Sequence, residues 1–298
     1  MGFLGRAVAG QLLRRDDSVA IVDPRASQRD CDDAFGAGRV AAIRGDMLCS
    51  QDLRRHFEGA DEVYHMAGKL GTSELEDSIH DAIAANITGA VNVFESAVSA
   101  GVPTVFYPTK PNVWLNTYTV TKIAAEQFAR IFAERHAIRI PSLRYFNAYG
   151  PGQALGPVRK IIPIFIARAL NRLPLIIFGD GEQTVDMIYS EDVGRITVDF
   201  TRSGYHADGV DCGRGLVLTV NAVAEAVNQI AGNPGGVQHV PMRRGEVAGT
   251  KLVADITRLT EAIPGLCFGD WMSTLTNTID WYAALDRDTL AAAAGLAS

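Results

Sequence analysis

Tyr118 and Lys122 are the residues whose types and spacing could do chemistry together. They lie in Thr117-Tyr118-Thr119-Val120-Thr121-Lys122-Ile123-Ala124-Ala125-Glu126, a run with helical character, and residues four apart on a helix are neighbours on one face. A phenol and an ammonium so placed form an acid/base pair. The cation can lower the phenol's pKa from its ordinary value near ~10 toward one useful for moving a hydroxyl proton. The Tyr-x-x-x-Lys spacing also arises by chance, so its weight comes from what surrounds it.

The surroundings read as a frame of parallel strands. Residues 18–23, 62–67 and 104–107 are apolar strand-like runs, and residues 77–100 and 117–136 carry helical periodicity. Strands separated by such helices imply βαβ units with right-handed crossovers. After Gly150 the pattern loosens into shorter mixed elements, including helical runs at 160–170, 220–231 and 271–285, and an Ala-rich end at 290–298 that reads as a frayed helix. No internal repeat is visible.

Two further motifs follow the pair: Arg144-Tyr145-Phe146-Asn147-Ala148-Tyr149-Gly150-Pro151-Gly152-Gln153, and Phe178-Gly179-Asp180-Gly181-Glu182-Gln183-Thr184-Val185-Asp186. With Tyr118 and Lys122 ahead of them, in this order, they resemble the extended short-chain dehydrogenase/reductases, specifically the NAD-dependent nucleotide-sugar epimerase/dehydratase family. The resemblance runs from Gly2 to about Tyr282. It implies an α/β fold with a Rossmann-type doubly wound parallel sheet and a smaller C-terminal α/β substrate lobe. The implied division is an NAD-binding domain over 1–150 and, over 151–298, mainly a substrate-binding lobe with some segments returning to the core.

Gly2-Phe3-Leu4-Gly5, followed by an apolar helical run, resembles the second half of the family's Gly-x-x-Gly-x-x-Gly turn, whose glycines let the backbone approach a pyrophosphate at a helix N-terminus. The first strand and first glycine of that motif are absent ahead of Met1, and a truncated start is the expectation. Asp23 closes the next strand, where a carboxylate can accept both ribose hydroxyls and would repel a 2′-phosphate, favouring NAD over NADP. Arg25, two residues on, could instead hold that phosphate. Gly45-Asp46-Met47 resembles the family's adenine contact, and His65-Met66-Ala67-Gly68, with Lys69 following, its strand-end turn near the cofactor. His65 itself reads as a packed core histidine, and Asn86 and Asn92 as supporting residues. The resemblance adds Tyr145, Tyr118 and Lys122 to the cofactor contacts.

The third catalytic member of the family, a Ser or Thr, is where the sequence departs most. The segment is Tyr107-Pro108-Thr109-Lys110-Pro111-Asn112-Val113-Trp114. Aligned without a gap, it puts Lys110 in the hydroxyl slot, so either Thr109 reaches the substrate hydroxyl through a rearranged turn or Lys110 donates the hydrogen bond. No carboxylate follows Thr109 as in dehydrating and decarboxylating relatives, although Glu74 in Gly71-Thr72-Ser73-Glu74 could substitute. Implied substrate contacts are Thr72, Ser73, Lys110, Asn147 for the sugar-nucleotide phosphate region, Phe178 stacking near the base, and Arg243 gripping a diphosphate as a charge-assisted fork. The family's Arg in Gln-Thr-Arg-Asp is Val185 here, for which Lys160 could compensate.

Composition bounds the rest. Of 298 residues 47% are hydrophobic and 21% charged, with a net charge of −6, which fits one large α/β domain with a lobe attached. The acidic balance and the lack of a Lys/Arg run disfavour nucleic-acid and membrane-surface roles. Cys31, Cys49, Cys212 and Cys267 are few and widely spaced, without metal-ligand spacing, so reduced thiols and no metal are expected. With no signal peptide and no apolar run long enough to cross a bilayer, a cytoplasmic protein is the expectation. The function implied is an NAD-dependent epimerase of a UDP- or dTDP-hexose at C4, working by transient hydride transfer to tightly bound NAD. The alternatives are a 4,6-dehydratase or dehydrogenase of the same family, or a non-catalytic cofactor-sensing protein. Apolar positions around helical runs 77–100 and 117–136 imply a homodimer.

Overall fold

The structure, a computed structural model, describes residues 1–71, 73–111, 114–205, 209–242, 247 and 249–296. In chain order the first elements are α1 (Phe3–Leu13), β1 (Val19–Val22), α2 (Gln28–Phe35), β2 (Val40–Ile43), α3 (Ser50–Phe57), β3 (Glu62–Tyr64), α4 (Ile79–Ile83), α5 (Gly89–Ala100), β4 (Thr104–Thr109), α6 (Thr117–Arg135) and β5 (Ser142–Tyr145). There follow β6 (Asn147–Tyr149), α7 (Ile161–Leu170), β7 (Leu175–Phe178), β8 (Thr184–Val185), β9 (Met187–Tyr189), α8 (Ser190–Arg202), β10 (Val210–Cys212) and β11 (Leu218–Thr219). The chain closes with α9 (Val220–Ala231), β12 (Val237–Val240), α10 (Thr257–Ala262), α11 (Trp271–Ala283) and α12 (Arg287–Ala294). No helix among the described residues is long and apolar enough to cross a membrane.

Contacts gather into two compact units, one of Met1–Tyr145, Val193–Cys212 and Thr257–Gly265, the other of Phe146–Asp192, Gly213–Ile256 and Leu266–Ser298. The first holds a parallel sheet in order β10-β5-β4-β3, with β1 and β2 forming a separate parallel pair. Among the described residues β1 pairs only with β2, and β3 only with β4. The described residues show no ladder between β1 and β3, at the place where the resemblance puts the first strand. Burial follows this division: every residue of β4 is buried, whereas those of β1 and β3 are half-buried or exposed.

Helices cover the β4 side of this sheet. Ala90, Val93, Phe94 and Ala97 of α5, Ala125 and Ala129 of α6, and Val105 and Tyr107 of β4 share one buried cluster with Leu53 and Phe57 of α3. Each large apolar side chain among them contributes roughly 1.5–3 kcal/mol on burial. The run read as one helix over 77–100 is instead α4, a π-helical stretch at Ala84–Thr88, and α5. The wider turn carries Asn86, whose amide is held by tertiary partners described below. At α1, close approach decides the residue on its neighbour: a Cβ on Gly194 would lie 2.6 Å from the Ala7 carbonyl oxygen.

The second unit packs α7, α9 and α11 around a core including Ile162, Phe165, Ile166, Leu175, Ile177, Val223, Leu275 and Tyr282. Its strands pair locally as β6-β9, β7-β12 and β8-β11. The Asp186 carboxylate of the Gln-Thr-Val-Asp motif is fully buried and accepts backbone N–H bonds from Arg214 (2.8 Å), Gly215 (2.8 Å) and Ala254 (3.1 Å). Desolvation nevertheless leaves its pKa above the usual carboxylate value. Such a site satisfies the carboxylate from the backbone, so this aspartate ties three segments together.

Candidate active site

The site is built on the first turn of α6. Asn116 is its N-cap, accepting the Thr119 N–H at 2.9 Å. This fixes where the helix starts and puts Tyr118 in the first turn, where the positive end of the helix dipole favours a developing phenolate. Lys122, one turn on, is buried.

The pair shares a helix but not the contact expected from its spacing. The Lys122 ammonium sits 4.0 Å above the ring of Tyr107 on β4, and burial brings its pKa down from the ordinary lysine value near 10.5 to about 7. Burial pushes the phenol of Tyr118 above its ordinary value. Desolvation disfavours the charged form of each group, so in this structure it outweighs the pKa lowering that Lys122 was expected to exert on Tyr118. Tyr107 is in turn stacked on His65 at 5.6 Å between centroids. His65 is buried, and its pKa falls to about 3 through desolvation and then the Lys122 charge, which leaves it a neutral core residue.

The two candidates for the hydroxyl slot lie in different places. Thr109 is buried as the last residue of β4, opposite Arg144 in the ladder with β5, and its hydroxyl faces the Leu143 carbonyl at 3.5 Å. Lys110, the first residue past the strand, carries its ammonium to 2.6 Å from Thr119 Oγ1 and 5.7 Å from the centroid of the Tyr118 ring. Strand alternation accounts for the difference, since consecutive side chains leave a strand in opposite directions.

A second set of contacts joins α6 to the loop after β3. Asn86 accepts the Lys69 N–H at 2.7 Å and donates to the Lys69 carbonyl at 3.0 Å and to Thr121 Oγ1 at 3.0 Å. Thr121 donates to the Tyr118 carbonyl at 3.0 Å. Met66, Ala67, Gly68 and Lys69 are thus tied through one amide to the turn that bears Tyr118. The Lys69 ammonium pairs with Asp81 at 2.7 Å. Asn116, Thr119, Thr121 and Tyr107 are members of the site that sequence reasoning passed over. Asn116 carried a signal, a capping residue just ahead of a helical run, whereas the others show themselves only through tertiary contacts.

Gly2 is the N-cap of α1, extended, with no side-chain cap on the helix and no acidic residue in its first turn. The N–H groups there, on Gly2, Phe3, Leu4 and Gly5, suit an anion. Asp23 directly follows β1, its carboxylate accepting the Arg25 N–H at 2.8 Å and lying 3.3 Å from the Met1 amine. Asp46 accepts the Leu48 N–H at 2.9 Å, while Asn92 donates to the Met47 carbonyl at 2.9 Å. Met47 lies against Gly89, where an added Cβ would come within 2.8 Å of its sulfur. An uncapped helix N-terminus, a carboxylate at a strand end and a pinned glycine loop fit a dinucleotide. Tyr145, at the end of β5, has its hydroxyl 2.5 Å from Thr197 Oγ1 and its ring stacked on Phe106.

In the second unit, Asn147 opens β6 and its Nδ2 is buried without a hydrogen-bond partner among the described residues. Lys160 caps α7, Phe178 ends β7 and Val185 lies in β8. Thr72 and Arg243 lie outside the described residues, and of Ser73 only the backbone is described, in a short 3-10 turn.

A parallel α/β unit with a tyrosine and a lysine one turn apart at the start of a helix defines a Rossmann-fold short-chain dehydrogenase/reductase. The chain belongs to the NAD dependent epimerase/dehydratase family, whose sequence profile matches residues 1–208, and is an NAD-dependent enzyme of that family. It is similar to the UDP-N-acetyl-alpha-D-glucosaminuronate decarboxylase of Bacillus cytotoxicus, at 24% identity over 96% of this chain and 97% of the relative. It is also similar to the UDP-glucuronate 4-epimerase of Thermodesulfobacterium geofontis, at 26% identity over 86% of each. Among solved structures, an epimerase from Methanothermobacter thermautotrophicus superposes with a TM-score of 0.86 at 25% identity, covering 95% of this chain and 89% of that one.

Proposed function

We propose that this chain is an NAD-dependent nucleotide-sugar epimerase acting at C4 of a UDP- or dTDP-hexose. The observation that carries the reading is Tyr118 in the first turn of a capped helix with two lysines close by, Lys110 at its ring and Lys122 one turn on. NAD, held by Gly2–Gly5, Asp23 and the Met66–Lys69 loop, supplies a hydride acceptor that gives back what it takes. Tyr118 removes the proton from the sugar hydroxyl and later returns it. The phenolate is favoured by the helix N-terminus and by Lys110, and Lys122 holds the nicotinamide ribose. Lys110, whose ammonium lies 5.7 Å from the centroid of the Tyr118 ring, orients the substrate oxygen. Asn147, Lys160 and Phe178 recognise the nucleotide end, with the buried unpaired amide of Asn147 as a donor toward phosphate. The names of the relatives, enzymes of UDP-sugars, support this substrate class.

Product mass after incubation with a panel of nucleotide sugars tests the reaction. Unchanged mass with a new sugar configuration is expected; loss of water would replace the epimerase by a dehydratase. Consumption of free NAD in step with substrate would replace it by a dehydrogenase.

Cofactor choice follows from Asp23. Its carboxylate faces the place where NADP carries a phosphate, and like charges brought together cost enough that NAD(H) should bind at least about tenfold more tightly than NADP(H). Asp23→Ala should narrow the gap. Titration of both cofactors checks it, and equal or reversed affinity in the unmutated protein would show that Arg25 governs the ribose site.

Two copies are expected to pair through α4 and α6. Ile79 (47% exposed), Ile83 (40%), Val120 (50%) and Phe128 (39%) leave an apolar stripe uncovered on these adjacent helices, while Thr121, Lys122, Ala125 and Ala129 face inward. Light scattering should give twice the chain mass of 32.0 kDa. A monomer mass at working concentration overturns the pairing.

A further inference from the structure

Tyr107 lies within the buried strand β4, and its hydroxyl is buried there without a hydrogen-bond partner among the described residues. That is a cost which phenylalanine at the same position would not carry, so the tip of the phenol gives no reason for its place. The ring, by contrast, is fixed on several sides. His65 stacks on it at 5.6 Å between centroids and 27° between planes, and Phe94 meets it edge to face at 5.6 Å and 82°. The Lys122 ammonium stands 4.0 Å from its centroid, inside the range in which the negative face of an aromatic ring attracts a cation. The titratable groups around this ammonium are His65 after β3, Tyr107 on β4, and Tyr118 and Glu126 on α6 itself. His65 is neutral, with its pKa at about 3, and burial raises the pKa of both phenols. Glu126 favours the ammonium but is outweighed by desolvation. The face of Tyr107 is therefore the support that β4 offers to a charge which burial disfavours.

We propose that Tyr107 is a positioning residue for Lys122: its ring, braced by His65 and Phe94, holds the ammonium where it meets the nicotinamide ribose and helps to keep it charged there. This rests on the reading above that Lys122 holds that ribose. The aim of the lysine is then set from the neighbouring strand as well as from the helix that carries it. A phenylalanine ring presents the same kind of face, so the hydroxyl of Tyr107 takes no part.

The test is calorimetric titration of NAD into the full chain, freed of bound cofactor, across the neutral pH range. A ribose contact that prefers the ammonium makes NAD bind best below the pKa of the free lysine, about 7, and less well as pH rises past it. Tyr107→Leu, which removes the face, should move this decline to lower pH by about 0.4–1.5 units, read as about 2- to 30-fold weaker binding on the falling limb. Tyr107→Phe should leave the decline in place, and Lys122→Met should abolish it. Equal shifts in the Leu and Phe variants overturn the role of the ring. So does a Leu variant that binds less tightly by the same factor at every pH, as loss of packing alone would produce. A Leu variant that keeps the unmutated profile while Lys122→Met loses the decline overturns the positioning role and leaves the ribose contact standing. A Lys122→Met variant with unmutated affinity and profile sinks the ribose reading itself, and the proposal with it. Melting curves identify variants that fail to fold; if Leu is one, Tyr107→Met, a flexible filler without a ring, takes its place.

Discussion

Tyr118→Phe is expected to lower kcat by ~10²–10⁴, the usual range for loss of a positioned acid/base group, while nucleotide-sugar affinity stays within a few-fold. The substitution removes one oxygen from a ring that keeps its place in the first turn of α6, where the Asn116 cap and the Thr121 contact to the Tyr118 carbonyl do not involve the hydroxyl. Desolvation raises the phenol's pKa, so ionisation depends on what the site adds. The helix N-terminus contributes ~0.3–1 kcal/mol at ordinary exposure, and Lys110 contributes at close range. The unmutated enzyme should therefore gain rate as pH rises on the acid side of its profile, and Tyr118→Phe should flatten that limb. Near-normal turnover in the variant means that Tyr118 is not the base.

Lys122→Met should abolish most turnover and yet make the protein more stable. The folded-state pKa of Lys122 is about 7, against an ordinary 10.5. Below pH 7 both folded and unfolded chains carry the proton, and the folded one bears the full cost of a buried charge. Between pH 7 and 10.5 the folded state sheds the proton first and the cost declines. Above 10.5 it is gone. Every tenfold weakening of proton binding corresponds to about 1.4 kcal/mol, but the ammonium recovers part of this from the Tyr107 ring, a contact worth up to ~2 kcal/mol when desolvated. A net gain of ~1–3 kcal/mol is expected at neutral and acidic pH, visible as a higher Tm and fading as pH rises from 7 to 10.5. A variant less stable at pH 7 would mean that the lysine is held as a stabilising cation, contrary to the burial seen here.

Legibility in the sequence followed the range of the interactions. Helix α6 was readable because its signals are local: an uninterrupted helical run and a tyrosine and a lysine at i, i+4. The strands were found but misjudged in length, β3 ending at Tyr64 and β4 continuing to Thr109, since strand ends are set by ladder partners far away in sequence. The break between α4 and α5 was not read, because the π-turn goes with Asn86 reaching Lys69 and Thr121, 17 and 35 positions away. Likewise, spacing put Lys122 beside Tyr118, while packing against β4 turned its ammonium to Tyr107, which no periodicity links to it. Where the side chains of Thr109 and Lys110 come to lie depended on whether the strand includes position 109, a boundary set by the pairing with Arg144 far away in sequence.

The separate ladders of the first unit have a consequence for how it opens. Among the described residues β1 is bonded only to β2, so the ladder Val19–Val22 with Val40–Ile43 is a short segment separate from the ladder of β3, β4, β5 and β10. Its free energy of opening then lies well below that of the buried ladder around β4, as expected for segments with few buried contacts. Asp23 sits at the end of the weaker segment, and the Met66–Lys69 loop belongs to the stronger one. On the proposed reading of the cofactor contacts, a dinucleotide engaging both would act as a clasp, tying the two segments together by mass action. Under the proposed cofactor contacts, cofactor concentration would then bear on how often this segment opens.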